Sequence, residues 1–300
     1  MKLYALAFLC VGWLNTVAQT DAYIKIHDSH QRHPRVLSVE FPGDTDFPAD
    51  YDALYGHGAV LENPWLAVRV YMDARQSVDL YLKQSPRLEL DHTGFYSTKE
   101  MVDSGYGCDV LWAGKSVALG SFRGYRDGMP VTIDSVASRS QSVVDSGSVM
   151  VVDKDWMFNG HPIQMTQTYR AVSDSRDIEV SIDLDGARSG DLFATGVQKL
   201  EFDNEGFILR EGMAGSWGRN ILDKAQPDWQ ETVGLGIWVS PENIVSVKED
   251  ELNYLFILRP DASGKIRYRI TATGSREKGG FKSADSWFDY IKSGKPDCHR

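Results

Sequence analysis

Polar and apolar residues alternate with a period of two through most of the chain, the pattern of strands that bury one face and expose the other. The clearest runs are Leu66–Asp73, Val78–Lys83, Val149–Asp153, Ile163–Val172, Ile178–Leu184, Val233–Val239, Tyr254–Leu258 and Ile266–Thr273. Stretches such as Asp73–Ser77, Asp145–Gly147, Asp185-Gly186, Asp203–Gly206 and Asp261–Gly264 are rich in residues that tolerate tight turns. Residues 19 to about 50, rich in His, Pro and Asp, read as a lead-in strand and loop around Val36–Phe41. Helical spacing stands out once: Ser283 caps a segment that puts Ala284, Trp287, Phe288 and Ile291 on one face, and Gly294 and Pro296 end it. So many strands with almost no crossover helices exclude a doubly wound α/β fold. The pattern predicts an all-β protein, a large antiparallel β-sandwich with a short C-terminal helix, in preference to a barrel. No repeat of 20–50 residues and no Pro- or Ser-rich linker divides the chain, so residues 19–300 are expected to form one domain.

The N-terminus changes the picture of where this domain works. Lys2 precedes the apolar run Leu3–Leu14, and Thr16-Val17-Ala18 suits a signal peptidase, so residues 1–18 read as a signal peptide and the mature protein as periplasmic or secreted. The run is shorter than the roughly 20 residues a spanning helix needs, so no membrane association is expected after cleavage. Cys10 follows Leu9, too bulky a neighbour for a lipoprotein site. The net charge of −10 becomes −11 when Lys2 is lost (−10 − 1), and it is spread along the chain. Such a surface repels phosphate backbones, which argues against nucleic acid as a partner, and no protein partner is implied. Cys108 and Cys298 remain after cleavage, and an oxidising compartment permits one bridge between them.

The densest candidate chemistry lies in Trp65–Asp73 and Val78–Lys83. Alternation puts Leu66, Val68, Val70 and Met72 on one face and Arg69, Tyr71 and Asp73 on the other. The second strand divides in the same way into Val78, Leu80 and Leu82 against Asp79, Tyr81 and Lys83. Two adjacent rows of charged and aromatic groups suit a sugar: rings cover pyranose faces, Arg and Lys hold a carboxylate, and Asp accepts hydroxyl hydrogen bonds. The alternative reading of the same rows is a solvated face with cross-strand ion pairs. Nearby stand His57 between two glycines, His92 and Tyr96 as proton carriers, Asp109 between apolar neighbours, and Arg123. Each histidine also reads as an ordinary hydrogen-bonded structural residue, and Asp109 as the cap of a glycine turn. Gly114-Lys115-Ser116 lacks the upstream glycine of a phosphate loop, because Asp109 stands there, and Ser216 lacks the elbow glycine, because Ala214 stands there. With no zinc or calcium pattern either, no metal or cofactor is implied.

Tyr55-Gly-His57-Gly, Glu62-Asn63, Arg69-Val-Tyr71, Arg75-Gln76, Val78-Asp-Leu-Tyr-Leu-Lys83 and Gly107-Cys-Asp109 together resemble the exported domain-of-unknown-function family 4861, from about residue 22 to the C-terminal helix. Leu82 departs from the resemblance, which expects glycine there. The resemblance implies association with bacterial polysaccharide degradation and the large sandwich of galactose-mutarotase-like proteins, whose later strands Gly196–Lys199, Trp217-Gly218 and Val233–Val239 would suit. That fold hosts several reactions, so it sets a substrate class only. The leading expectation is an oligosaccharide lyase acting by β-elimination next to a uronate carboxylate. Arg69 and Lys83 would neutralise the carboxylate, His57 or His92 would take the proton, and Tyr71 or Tyr96 would protonate the leaving oxygen. Tyr81, Asp79 and Arg123 would help to bind the sugar. The alternatives are a mutarotase or epimerase using Asp109 or Glu62 as base, and a carbohydrate-binding protein without turnover.

Overall fold

The computed structural model describes residues 20–28, 33–43 and 53–294. The expected leader, Cys10 and Cys298 lie outside the described residues. In chain order the strands are β1 (Asp21–Ile26), β2 (Arg35–Val36), β3 (Ser38–Pro42), β4 (Leu54–Glu62), β5 (Leu66–Tyr71), β6 (Val78–Leu82), β7 (Cys108–Asp109), β8 (Arg123–Arg126), β9 (Met129–Val131) and β10 (Ser138–Asp145). There follow β11 (Ser148–Phe158), β12 (His161–Ala171), β13 (Asp177–Asp185), β14 (Leu192–Gln198), β15 (Phe202–Leu209), β16 (Met213–Asp223), β17 (Gln226–Val239), β18 (Ile244–Glu249), β19 (Asn253–Leu258) and β20 (Lys265–Gly274). The helices are α1 (Leu90–Thr93), α2 (Lys99–Asp103) and α3 (Ala284–Ser293).

The strands form three antiparallel sheets: six-stranded β2-β1-β4-β5-β6-β7, nine-stranded β15-β16-β17-β20-β13-β12-β11-β10-β3 and five-stranded β18-β19-β14-β8-β9. The fold is therefore the all-β antiparallel architecture that the alternation predicts. β12 shows the cause: Ile163, Met165, Gln167 and Tyr169 are buried while Gln164, Thr166 and Thr168 between them are partly exposed. One continuous core cluster draws Ile24, Val68 and Leu80 of the six-stranded sheet, Ile163, Ile182 and Leu235 of the nine-stranded sheet, and Phe193 and Phe256 of the five-stranded sheet. Polar side chains tie the layers where hydrophobic contact alone would leave backbone groups unpaired. The Gln141 amide, buried between sheets, accepts from the Ala59 amide at 2.8 Å and donates to the Val70 carbonyl at 2.9 Å.

Three details depart from the expectations. Asp203–Gly206 is not a turn but part of β15, where the pairing with β16 slips between Phe202 and Glu205 and Asp203 takes φ +51°. A β-bulge uses the same backbone-tolerant residues as a turn. Leu82 sits in regular pairing with Leu66, and the glycine needed for close approach is across the ladder: a Cβ on Gly107 would lie 2.0 Å from the Leu82 carbonyl oxygen. Finally, β5 and β6 are buried on both faces, because the segment carrying α1 and α2 covers their polar side. Among the described residues no helix is long and apolar enough to cross a membrane.

Candidate functional site

Pairing of β5 with β6 sets Arg69 directly opposite Asp79, so both project from the face opposite Val68 and Leu80. β7, at the edge of that sheet, pairs with β6 and adds Asp109. These residues and Tyr71 floor a cleft of about 530 Å³. Its walls come from elsewhere in the chain: Tyr96 from the segment after α1, Trp112 from the loop after β7, and Trp229 from β17 of the nine-stranded sheet. The cleft thus opens where two sheets meet, a usual place for a ligand site.

Arg69 organises the floor. Its Nη2 donates to Tyr71 Oη at 2.7 Å, to Asp79 Oδ2, and more weakly to Asp109 Oδ2 at 3.5 Å. Tyr71 Oη donates in turn to Asp79 Oδ2 at 3.1 Å. The Arg69 guanidinium carbon lies 4.2 Å from the Phe95 ring centre, 4.8 Å from Tyr71 and 4.9 Å from Tyr96, an aromatic cage that favours the cation. Burial works against that charge, yet Asp79, Tyr71 and Asp109 outweigh it and hold Arg69 more firmly protonated than usual.

One guanidinium compensates one carboxylate. Burial and the neighbouring Asp79 push the Asp109 carboxyl well above the usual carboxylate range, against the pull of Arg69 and of the Leu111 amide that donates to Asp109 Oδ1. The Asp109 side chain is 24% exposed whereas Asp79 is 4% exposed, so Asp109 is the member of the pair that faces the cleft. Burial likewise raises the Tyr96 phenol, though Arg69 opposes it. The result is an Asp109 carboxyl that keeps its proton to higher pH than an ordinary carboxylate, beside an Asp79 engaged by Arg69 and Tyr71, with aromatic rings around both.

The structure brings Arg69, Tyr71, Asp79, Tyr96 and Asp109 to this cleft and leaves the other candidates elsewhere. Lys83 lies about 13 Å along the strand from Asp79 at ~3.3 Å per residue. There its Nζ is buried against Glu62 Oε1 at 2.6 Å and the carbonyls of Asn63 and Arg87. Burial lowers the Lys83 pKa and Glu62 opposes that, the balance of a structural ion pair. Tyr81 is fully buried, and its hydroxyl donates to Glu89 Oε1 at 2.9 Å. Arg123 is buried beneath the cleft, donating to the Phe122 carbonyl at 2.9 Å and Ser77 Oγ at 3.3 Å, with its pKa lowered to about 10 by burial. His57 adopts φ +68° on β4 and its ring lies parallel to Tyr71 at 6.2 Å, outside the cleft lining. His92 is exposed on α1 against Tyr106, also outside it. The expected gathering of both histidines around the hollow is corrected: His57, on the neighbouring strand β4, reaches Tyr71 with its ring but does not line the cleft, and His92 stands apart on α1.

Sequence reasoning missed Trp112, Trp229, Ser97 and Asp223 on the cleft. Trp112 carried a signal, since it sits in a glycine-rich loop where no core strand needs it, whereas Trp229 lies on β17 and packs partly against the core. Trp112 is 47% exposed, with its indole N–H donating to the Ile221 carbonyl at 2.7 Å. Among the described residues no cluster of three or more His, Cys, Asp or Glu side chains is arranged to hold a metal ion.

Comparison with curated proteins returned no match. Among solved structures, the crystal structure of 4-alpha-glucanotransferase from Thermococcus litoralis aligns at a TM-score of 0.32 and 10% identity, over 79% of this chain. The chain spans 40% of the length of that protein, and the likeness is too distant to carry an argument. The family description "Domain of unknown function (DUF4861)" matches residues 15–297. With nearly the whole chain matched, the protein belongs to the DUF4861 family.

Proposed function

We propose that the cleft is the active site of an exported carbohydrate-active enzyme that moves protons on a sugar, with Asp109 as the proton carrier. The observation behind this reading is the position of Asp109, the more exposed member of a carboxyl pair that shares one guanidinium, its pKa raised by burial and by Asp79, in an aromatic-walled hollow. A carboxylic acid beside a carboxylate supplies both partners of acid–base catalysis. On a cyclic hemiacetal, Asp109 would protonate the ring oxygen as a carboxylate oxygen of the pair takes the proton of the anomeric hydroxyl. The ring C–O bond then breaks, a carbonyl forms, and closure on the other face returns both protons. Arg69 and Tyr71 would hold the Asp79 carboxylate in place by donating to its Oδ2, and the aromatic walls would cover the apolar faces of the ring.

β-Elimination at a uronate, which the sequence favours, needs a cation available to the substrate carboxylate. Arg69 is buried against Asp79 and Lys83 against Glu62, which leaves Arg75, half exposed on the cleft and paired with Asp73, as the cation nearest a substrate carboxylate. Mutarotation or epimerisation needs no such cation and uses the Asp109 carboxyl directly, so it fits the cleft better than a lyase reaction. Product analysis separates them. Purified protein mixed with single anomers of neutral sugars and uronates should speed the relaxation of optical rotation, and Asp109→Asn should slow that relaxation by about 10²–10⁴-fold. A growing ultraviolet absorbance from a conjugated double bond would instead establish elimination. Sugar binding without any turnover would reduce the protein to a binding module.

A further inference from the structure

A second hollow of about 510 Å³ adjoins the cleft on the far side of Trp229. Trp229 lines both, and the hairpin tip between β16 and β17 contributes to each: Leu222 and Asp223 to the first, Ala225 and Pro227 to the second. Both volumes fall within the roughly 300–1,000 Å³ of ordinary ligand sites. The outer hollow has its own polar equipment. Arg276 is fixed there, with Nη1 2.8 Å from Glu231 Oε2 and Nη2 donating to the Gln230 carbonyl at 3.0 Å. Lys99 pairs with Asp103 at 2.8 Å, but both side chains are about half exposed. An exposed pair of this kind is worth little and can exchange its partner for a ligand hydroxyl or carboxylate.

We infer that Trp229 divides two sugar subsites, and that the substrate is an oligosaccharide with one unit over Asp109 and the next in the outer hollow against Lys99 and Arg276. This rests on the sugar-site reading above and extends it from a single ring to a chain. A half-buried indole between two hollows can bound both units, and the charged groups of the outer hollow recognise hydroxyls or a uronate carboxylate that the closed Arg69–Asp79 pair does not take.

The test measures binding by calorimetry, in an Asp109→Asn background that holds substrate unconverted. The probes are glucose, cellobiose and cellotriose, and galacturonate with its di- and trisaccharide. The inference expects affinity to rise at least tenfold from mono- to disaccharide in one series. Ala225→Trp, which fills the outer hollow from an exposed position, should abolish that gain and leave monosaccharide affinity within threefold. Length-independent affinity, or a length gain that survives Ala225→Trp, overturns the outer subsite and leaves the sugar-site reading standing. Failure of every probe to bind overturns both.

Discussion

Asp109 and Asp79 share one guanidinium, and this shortage of positive charge gives the cleft its chemistry. It also gives a stability test with a definite sign. An unfolded Asp loses its proton near pH 3.9, while folded Asp109 keeps it to higher pH. The folded state therefore binds more protons in that window, and this residue lowers stability progressively as pH rises from about 4 through the folded pKa. Asp109→Asn removes the titration and keeps an oxygen to accept the Leu111 amide. Thermal melts across a pH series should show the variant gaining on the wild type as pH rises; a gap that is constant, or that widens in favour of the wild type, contradicts the raised pKa. At this scale the sequence was legible in part. An aspartate between Cys108 and Val110 on an apolar strand announces a perturbed carboxyl, and the opposition of Arg69 and Asp79 follows from alternation plus a short turn. The histidines misled because titration near neutrality is a property of the free side chain, whereas here environment moved a carboxyl instead.

Strands wetted on one face were readable element by element, and the ends of β12, β13 and β20 fall within one or two residues of their predicted bounds. Covering elements were not readable. Nothing in the periodicity of Leu90–Asp103 shows two short helices lying over the polar face of β5 and β6, since four- and five-residue helices are too short to develop an amphipathic stripe. The C-terminal helix was legible because ten residues suffice: Ala284, Trp287 and Ile291 are buried, and Ser283 Oγ accepts from the Ser286 amide as its cap. Its seat is made of glycines. A Cβ on Gly234 would lie 2.8 Å from Trp287 Nε1, and one on Gly236 would lie 2.9 Å from Ile291 Cδ1, so α3 packs against nearly bare backbone of β17. Trp287 also donates to the Leu235 carbonyl at 3.0 Å. Trp287→Ala should cost about 3–5 kcal/mol by chemical denaturation, because it empties a fully buried site. A loss below ~1 kcal/mol would mean the helix is not integral to the fold.

Across the whole molecule, the cleft exists because the edge of the six-stranded sheet ends beside the β16–β17 hairpin of the nine-stranded sheet. No local pattern in the chain encodes that meeting, which joins Asp109 to Trp229 across 120 positions. This is why the floor was foreseeable from one hairpin and the walls were not. A competing surface exists on the outer face of the nine-stranded sheet, where Trp238 borders an open groove; there Arg269 already covers the indole, its guanidinium carbon 4.1 Å from the ring centre. The crystal structure of Asp109→Asn soaked with a bound oligosaccharide from the binding series therefore tests the account most directly. It should show a sugar ring within hydrogen-bonding distance of the residue 109 side chain and bounded by Trp112 or Trp229. A sugar seated on the Trp238 groove, with the Asp109 cleft empty, would contradict it.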